Sequence, residues 1–383
     1  MIGLHLRVLR AAAGLFFAAG VMVQVAPAAS AGRTSSSDWL QPDYNSGRTN
    51  ANDTEDQFGA AEAADLELIS EVRFPNLPLT TPIVVDGDLV AYVKAGSNWS
   101  EDLGFGYRLT RLDGETGQVV WRWGVGHCVH LHPHITSDVV VAGSTGCSQS
   151  DPGGQSSANA STGSGGWGAF HTNWTAVHDG RVFFAHGPWG AFDDPLKLEA
   201  LDASTGERLW RKSLRDRGDM MAAGSNLYMR IGPRIIARSI QDGTVLWKVM
   251  APDGGALDIA TPDVLFFQTA SGVVAMSTSS RAVLWQAPGH LDAVLAGQAF
   301  IGTPDGLVAR SVANGALQWT NPNYFGASAA ADGVVYSGDS TRRTTVALRA
   351  SDGAFLDSVI GGSPIVANAR LYVTTGRVVR GYA

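Results

Sequence analysis

Hydrophobic and polar positions alternate with a period of two along most of the chain, in short runs that turn residues separate. The stretch LEALDASTGERLW, residues 198–210, is one example. LEAL and ERLW alternate as strands do, because successive side chains of a strand point to opposite faces. DASTG between them predicts a tight turn, in which Asp202 bonds to nearby backbone and Gly206 supplies a positive φ.

The same strand–turn–strand unit recurs, which favours a structural role over a catalytic one. Five copies end on a tryptophan, at Trp121, Trp210, Trp247, Trp285 and Trp319. A sixth copy, VALRASDGAFLD, has Asp357 at the tryptophan position. A second alternating hairpin, such as TPIVVDGDLVAYV at 81–93, opens each unit, and eight such openings are present. We expect the tryptophans to wedge between neighbouring units.

Two hairpins make a four-stranded antiparallel sheet that cannot bury both of its faces alone, whereas units stacked in a ring can. The prediction is therefore an all-β fold, an eight-bladed β-propeller over residues 66–383, with seven blades as the alternative. The chain ends at GRVVRGYA, without the last strand of the final unit. LELISEVRF (66–74) has a strand pattern and is expected to complete that blade, which removes two exposed strand edges.

Residues 1–31 have the pattern of a secretory signal peptide. Arg7 and Arg10 precede an apolar run over 11–23, and Ala29-Ser30-Ala31 fits a cleavage site. The run is shorter than the ~20 residues of a membrane span. We therefore expect a monomeric, exported protein, secreted or held in the cell envelope, with no membrane span after cleavage. Residues 32–65 are then expected to form an extended polar leader.

Charge and cysteine content narrow the function classes. The formal net charge is −7, and about −9 once the signal peptide is removed. A chain of this charge without a basic stripe is not expected to bind nucleic acid. Cys128 and Cys147 are the only cysteines, and two cysteines in an exported chain predict one disulfide.

One region departs from the repeat. Residues 143–168 are rich in glycine and serine, which predicts a flexible loop inserted in the second blade and a first candidate for a binding surface. In the preceding segment, His127–His134, three histidines alternate and would share one face of a strand: His130, His132 and His134. This spacing suits zinc or copper; polar packing near the ring is the other interpretation.

The motif A-L-D-A-x-T-G-x-x-L-W at blade length resembles the pyrroloquinoline-quinone-like (PQQ-like) repeat. The match is strong over residues 200–210 and good over 109–121. The family includes quinoprotein dehydrogenases and non-catalytic propellers such as the BamB lipoprotein of outer-membrane assembly. DWLQPDYNSGRTNAND, residues 38–53, is similar to the leader of secreted members. The resemblance implies a propeller, in agreement with the repeat pattern.

The resemblance also implies a test for quinone chemistry. Family enzymes hold PQQ with cations and a calcium ion on loops at one mouth of the ring, beside a catalytic aspartate and a disulfide of adjacent cysteines. Here Cys128 and Cys147 are far apart, and the regular repeats after Trp210 leave little room for such loops. No catalytic residue and no cofactor is therefore predicted.

Three functions stay open on this evidence. The first is an exported, non-catalytic propeller that binds another protein or a cell-envelope component, and we favour it because the repeated residues are architectural. The second is a PQQ- and calcium-dependent alcohol or sugar dehydrogenase. The third is a metal-binding propeller that uses the His127–His134 segment.

Overall fold

The computed structural model describes residues 37–383 except 42, 79–80, 95–106, 127–132, 137, 149–150, 171, 187–195, 217 and 340–342. All described residues belong to one compact unit, Gly32–Ala383. They form eight antiparallel sheets of four strands, one of which carries an additional short strand. In this part of the chain, no helix is long and apolar enough to cross a membrane.

Two strands and a short 3₁₀ turn precede the first blade: β1 (Ala51–Asn52), the turn Glu62–Ala64 and β2 (Leu68–Arg73). Blade 1 contains β3 (Ile83–Val85), β4 (Asp88–Lys94), β5 (Tyr107–Leu112) and β6 (Val119–Gly126). Blade 2 contains β7 (His134–Thr136), β8 (Val139–Ser148), β9 (Asp151–Asn159) and β10 (Gly165–Phe170). Blade 3 contains β11 (Thr172–His178), β12 (Arg181–His186), β13 (Lys197–Asp202) and β14 (Arg208–Ser213).

Blade 4 contains β15 (Asp219–Ala223), β16 (Asn226–Ile231), β17 (Arg234–Ser239) and β18 (Val245–Met250), and a 3₁₀ turn, Pro252–Gly254, follows it. Blade 5 contains β19 (Ala256–Ala260), β20 (Val264–Thr269), β21 (Gly272–Ser277) and β22 (Val283–Ala287). Blade 6 contains β23 (His290–Leu295), β24 (Gln298–Thr303), β25 (Gly306–Ser311) and β26 (Leu317–Asn321). Blade 7 contains β27 (Ala329–Ala331), β28 (Val334–Asp339), β29 (Thr344–Arg349) and β30 (Phe355–Ile360). Blade 8 contains β31 (Ser363–Ala367), β32 (Arg370–Thr375), β33 (Val378–Tyr382) and, from the other end of the chain, β2.

The blades form a closed ring. In six of the eight neighbouring pairs of blades the first strands contact one another, which places these strands around a common axis. Blade 8 is completed by β2, which pairs with β33 so that Val72 lies opposite Val379. The backbones of Glu67 and Ala383 exchange two further hydrogen bonds of 3.0 and 3.1 Å. The predictions of eight blades and of closure by residues 66–74 are therefore confirmed, and the seven-blade alternative is wrong.

The glycine- and serine-rich stretch 143–168 lies largely in β8, β9 and β10 of blade 2. The prediction of a flexible loop there is wrong. Ser157 and Ala158 are buried in β9, so small side chains take inward positions that larger apolar residues occupy in other blades. Because serine and glycine give little contrast between apolar and polar positions, the sequence hides the alternation of these strands.

Blade 2 also contains a further copy of the repeat. Asn159 takes the position that Asp202 has in blade 3, and its Oδ1 accepts backbone hydrogen bonds of 3.1 and 2.9 Å from Ser161 and Thr162. Trp167 follows at the tryptophan position. An amide oxygen therefore shapes this turn in the way that a carboxylate shapes the others.

Outer-strand tryptophans hold five of the eight blades to the next one. Nε1 of Trp210 donates a 3.0 Å hydrogen bond to the carbonyl of Ile240, in the turn between the third and fourth strands of blade 4. The same bond, 2.7–2.8 Å long, joins Trp121 to Ala160, Trp167 to Ala203, Trp285 to Val312 and Trp319 to Ala350. Each indole thus fills a seam between blades while its polar N–H is satisfied.

A glycine in the receiving turn makes room for each of these indoles. Gly206 has a φ of +73°, and a Cβ on it would lie 2.4 Å from Cγ of Trp167. At the other four seams the corresponding distance is 2.6–2.8 Å, for Gly163, Gly243, Gly315 and Gly353. The repeat therefore requires glycine for two reasons, the left-handed turn and the close approach of the tryptophan.

Three of the eight seams differ from the pattern. Between blades 8 and 1, Val72 of β2 takes the place of the tryptophan, 3.3 Å from the Cβ position of Gly117. Blade 5 has Arg281, with a φ of +60°, at the glycine position, and within the described residues Trp247 of blade 4 makes no indole hydrogen bond. Blade 8 has no turn between its third and fourth strands, because the chain enters and leaves there. Asp357 accordingly replaces the tryptophan, and its Oδ2 accepts a 3.0 Å hydrogen bond from Leu66 N.

Replacing Gly206 with alanine is expected to loosen the seam between blades 2 and 3. The new Cβ meets the indole of Trp167, and such overpacking costs about 1–3 kcal/mol beyond the cost of a left-handed alanine. Gly180→Ala in the same blade is the matched control, because Gly180 has a φ of +68° and nothing within 4 Å of its Cβ position. Denaturant unfolding should show the larger loss for Gly206→Ala; equal losses would contradict the docking role.

Candidate functional site at the ring axis

The free edges of the first strands converge on the ring axis. Within its blade, each first strand pairs with only one neighbour. Its other edge presents backbone N–H and C=O groups that require partners once they leave water. Residues 37–41 and 43–55, here called the axial segment, supply these partners.

The axial segment bonds to the blades one after another. Backbone hydrogen bonds of 2.8–3.1 Å join Trp39 to Val84 in blade 1, Leu40 to Ile135 in blade 2, Ser46 to Ala222 in blade 4, Gly47 to Ala260 in blade 5, Thr49 to Val294 in blade 6 and Asn50 to Ala330 in blade 7. Side-chain amides complete the set: Gln41 Nε2 donates to Val177 O of blade 3 at 2.7 Å, and Asn52 Nδ2 donates to Val366 O of blade 8 at 2.8 Å. One segment therefore bonds to all eight blades.

Asn52 joins the two ends of the axial segment. Its side chain is fully buried, and Nδ2 donates to Ser37 O at 2.7 Å as well as to Val366 O. Its Oδ1 accepts backbone hydrogen bonds from Thr54 at 3.2 Å and from Glu55 at 3.0 Å. A single amide therefore bonds to the start of the segment, to its end and to blade 8.

The axial segment is a series of turns and not the extended leader that the sequence predicts. Asp43, Tyr44, Arg48 and Asn50 have φ values of 49–75°, and Asn50 N donates back to Asp43 O at 2.9 Å. Trp39 packs edge-on against Tyr44, with ring centroids 5.2 Å apart. Left-handed conformations cost non-glycine residues free energy, so bonds to the blades must offset this strain.

A pocket of about 390 Å³ lies beside the axial segment, at the end of the ring where the first strands finish. His178 stands in its wall with both ring nitrogens engaged: Nδ1 lies 2.9 Å from Ser46 Oγ, and Nε2 lies 2.9 Å from Gly224 O. Asp53 and Asp263 also line the pocket. The pocket thus presents carboxylates, and the Ser46 hydroxyl beside His178 also donates a 2.7 Å hydrogen bond to Ala222 O.

The opposite end of the ring carries two largely buried carboxylates on neighbouring first strands. Nδ1 of His290 lies 3.2 Å from Asp292 Oδ1, while Asp292 Oδ2 accepts a 3.1 Å hydrogen bond from Ala327 N. Burial raises the pKa of Asp292, and the hydrogen bonds from Ala327 and His290 oppose that rise. Burial also raises the pKa of Asp258, which His290 and Arg48 lower in part.

These residues do not fit the quinone and calcium ion that the sequence resemblance implies for family enzymes. Calcium takes about six to eight oxygen ligands, and the part of the chain that the structure describes holds no group of three or more His, Cys, Asp or Glu placed to bind a metal ion. The axial segment also bonds to the inner edge of every blade. We therefore derive no reaction step through a quinone.

The histidine and cysteine predictions fall largely outside the described residues. His130, His132 and Cys128 lie there, and Cys147 is in β8, where its side chain is not described. His134 begins β7, and its Nδ1 lies 3.0 Å from Gln41 Oε1 in the axial segment. The metal site and the disulfide stay predictions, which elemental analysis and thiol titration of the untagged protein would measure.

The repeat residues predicted from the sequence lie in the seams and turns. Asp202 Oδ1 accepts backbone hydrogen bonds of 2.9 Å from Ser204 and Thr205. Hydrogen bonds from the same two residues lower the pKa of Asp202. None of these repeat residues lies in the axial segment. The repeat pattern therefore did not indicate the segment that bonds to every blade.

Asn52→Ala is expected to destabilise the ring strongly. The substitution leaves four backbone groups without their buried partner, and losses of this kind cost about 2–4 kcal/mol. Asn323→Ala is the control, because Asn323 is exposed on the loop after β26. Urea unfolding followed by fluorescence should show a lower midpoint for Asn52→Ala alone. A shift no larger than that of the control would show that the axial segment contributes little.

Asp258→Asn is expected to raise the melting temperature at pH 7. Because the folded-state pKa of Asp258 is raised, its stabilising contribution is complete below the unfolded pKa of about 3.9 and is lost as pH rises. Removing the buried charge should therefore help at neutral pH and have no effect in acid. Thermal unfolding between pH 3.5 and 8 measures this difference.

Asp352→Asn is the control, because its effect on the melting temperature at pH 7 is expected to have the opposite sign. The hydrogen bond from Ala354 N, with help from Arg349, lowers the pKa of Asp352. Its contribution is present above the unfolded pKa and is lost as pH falls, so this substitution should lower the melting temperature at pH 7. If both variants shift the melting temperature at pH 7 in the same direction, the opposite pKa shifts of Asp258 and Asp352 are contradicted.

Solved structures of several propellers are similar to this chain. A quinohemoprotein alcohol dehydrogenase, ADHIIG from Pseudomonas putida HK5, is 14% identical, with 91% of this chain and 80% of that chain covered and a TM-score of 0.60. The quinohemoprotein alcohol dehydrogenase from Comamonas testosteroni is also 14% identical, with 90% of this chain and 80% of that chain covered and a TM-score of 0.61. BamB from Moraxella catarrhalis is 15% identical, with 83% of this chain and 99% of that chain covered and a TM-score of 0.54. At these identities the likeness establishes the fold alone.

No curated protein matches the chain. Residues 153–356, which are more than half of the chain, match the model of the family described as outer membrane protein assembly factor BamB. The matched region begins in blade 2 and ends in blade 7, so it consists of the repeated blades themselves. The resemblance to PQQ-like repeats is therefore confirmed, and the chain belongs to the BamB family of PQQ-like repeat propellers.

Proposed function

We propose that the chain is an exported, non-catalytic propeller that binds another protein or a component of the cell envelope. The observation that carries the proposal is the axial segment, because its bonds to all eight blades use the inner strand edges at the axis. Because the axial segment occupies these inner edges, the two faces and the outer rim are the surfaces that we assign to recognition. Family membership supports the same function, since the family is described by an assembly factor.

The alternative is a quinoprotein dehydrogenase, because propellers of that activity share the fold. It would require a calcium site, and the described part of the chain holds no group of three or more His, Cys, Asp or Glu placed to bind a metal ion. The pair Asp258 and Asp292 supplies carboxylates at one mouth, but Arg48 is the cation near it. Only the dehydrogenase would reduce an electron acceptor in a PQQ-dependent reaction, which allows a direct test.

Export is tested by the N-terminus of the protein recovered outside the cytoplasm. Cleavage after Ala31 predicts a mature chain that begins at Gly32. Edman sequencing or intact mass of the extracytoplasmic fraction would measure it. A full-length chain retained in the cytoplasm would contradict export.

The function is tested on the purified mature protein. With added PQQ and calcium we expect no tight binding by calorimetry and no reduction of an artificial electron acceptor with alcohols or sugars. Immobilised mature protein should retain a stoichiometric partner from an envelope extract of the native host, and excess free protein should compete it away. Dye reduction that depends on PQQ, without a retained partner, would overturn the proposal in favour of the dehydrogenase.

A further inference from the structure

The seam between blades 4 and 5 differs from the other tryptophan seams. Trp247 is only half-buried, and among the described residues its indole N–H has no hydrogen-bond partner. Trp121, Trp167, Trp210, Trp285 and Trp319 all donate to the next blade. Trp247 still packs against Tyr228 of its own blade, with ring centroids 5.9 Å apart. Its free donor and exposed ring surface are therefore features of this seam alone.

Arg281 explains why Trp247 does not dock. It occupies the turn position at which five other blades place a glycine under the indole, and its φ of +60° is as left-handed as theirs. In those blades a Cβ would lie 2.4–2.8 Å from the indole. Arginine brings such a Cβ, so an indole cannot approach to the same depth. The substitution keeps the turn, because Arg281 N still donates to Ser277 O at 2.9 Å, but it opens the seam.

The open seam is lined by apolar side chains. Val283 of β22 is 47% exposed and pairs with Met276, which lies in the core cluster between blades 4 and 5. Trp247 and Val249 of β18 pack against the same cluster, while a bulge at Leu246 turns Val245 to the opposite face of β18. Tryptophan and arginine are two of the residue types that are enriched in protein-binding hot spots. We call this groove, formed by Trp247, Val249, Arg281 and Val283, the Trp247 groove.

The outer edge of β18 is open to another strand. β18 is the last strand in the order β15-β16-β17-β18, so one row of its backbone N–H and C=O groups has no partner in the sheet. Other blades also have such an edge. Only in blade 4 does the edge adjoin an undocked tryptophan, and side-chain pockets beside an edge are what give strand addition its specificity.

Charge selects the kind of segment that would fit. Lys248 of β18 and Arg281 are exposed, and β18, β22 and the turn 278–281 contain no acidic residue. Arg281 Nη1 donates to Ser279 O of its own turn, which keeps its charge at the end of the groove. A second copy of the chain would set these cations against the same cations across a symmetric contact. An acidic partner segment is favoured instead.

We propose that the Trp247 groove binds an extended, acidic and apolar segment of a partner protein by strand addition to β18. Apolar side chains of the segment pack on Trp247 and Val283, a backbone or side-chain oxygen accepts from the Trp247 indole, and a carboxylate pairs with Arg281 or Lys248. This assignment rests on the proposed binding function and gives it a surface and a class of ligand.

The probe is a capped ten-residue peptide of alternating valine and glutamate, tested against the whole mature protein. We expect saturable binding, at least tenfold tighter than that of the valine–lysine peptide. Hydrogen exchange should slow at β18 amides and not at the outer strands of other blades. No binding, equal binding of both peptides, or protection at every outer strand would overturn the proposal.

Arg281→Gly is the decisive variant. Glycine removes the charge and lets Trp247 dock as the other tryptophans do, so peptide binding should weaken at least tenfold while the melting temperature rises. Because the variant is expected to be more stable than wild type, a loss of peptide binding could not be attributed to unfolding. Leu317→Glu in β26 of blade 6, where Leu317 is 57% exposed, is the control and should bind the valine–glutamate peptide within twofold of wild type.

The same variant separates the two proposals. If Arg281→Gly retains the envelope partner as wild type does, the Trp247 groove is the wrong surface and the binding function stands. If wild type retains no partner and reduces dye with PQQ, the binding function itself fails. Loss of both peptide and partner in Arg281→Gly alone supports the groove.

Discussion

A four-stranded blade has two apolar faces, and it can bury them only against its neighbours. The interaction that fixes each neighbour is the indole of one blade set on a glycine turn of the next, with the indole N–H bonded to a carbonyl of that turn. Area burial alone would permit blades to slide, since the hydrophobic effect is not directional. The hydrogen bond and the absent Cβ determine where the tryptophan stops, and so they fix the rotation from blade to blade that lets eight units close.

Closure produces a second constraint at the axis, where the backbone groups of the first strands face inward. The chain meets it with residues that precede the blades, and β2 then completes blade 8. Both closing elements therefore come from the N-terminal part of the described chain. Since the axial segment reaches from blade 1 to blade 8, it connects blades that are far apart in sequence and makes the ring more cooperative than nearest-neighbour repeats would be.

The blades could be predicted because their pattern is local. Alternation, the Asp-to-Gly turn and the closing tryptophan lie within about fifteen residues of one another, and even Asp357 marks a blade whose neighbour lacks the receiving turn. Blade 2 was misread because Asn159 replaces the aspartate and serine and glycine replace the apolar residues around it. The axial segment could not be predicted in shape, because it bonds mainly through backbone carbonyls, which every residue has, and because its left-handed positions fall on Asp43 and Tyr44 and not on glycine. The turn at Asn159–Gly163 was the available signal for blade 2.

The repeat also gives meaning to its exceptions. Where a position is constrained by both a left-handed turn and an indole 2.4–2.8 Å from the Cβ position, a change of residue is costly unless the indole moves. Asp357, at the tryptophan position, is a change with a structural reason, because blade 8 has no turn opposite it. Arg281 has no such reason, since the turn, the preceding strand and Trp247 are all present. A left-handed arginine and an incompletely buried tryptophan both lower the stability of the fold, and no contact among the described residues of this seam compensates for that loss. The seam between blades 4 and 5 is therefore packed less tightly than the other tryptophan seams, and its tryptophan keeps surface that the others bury.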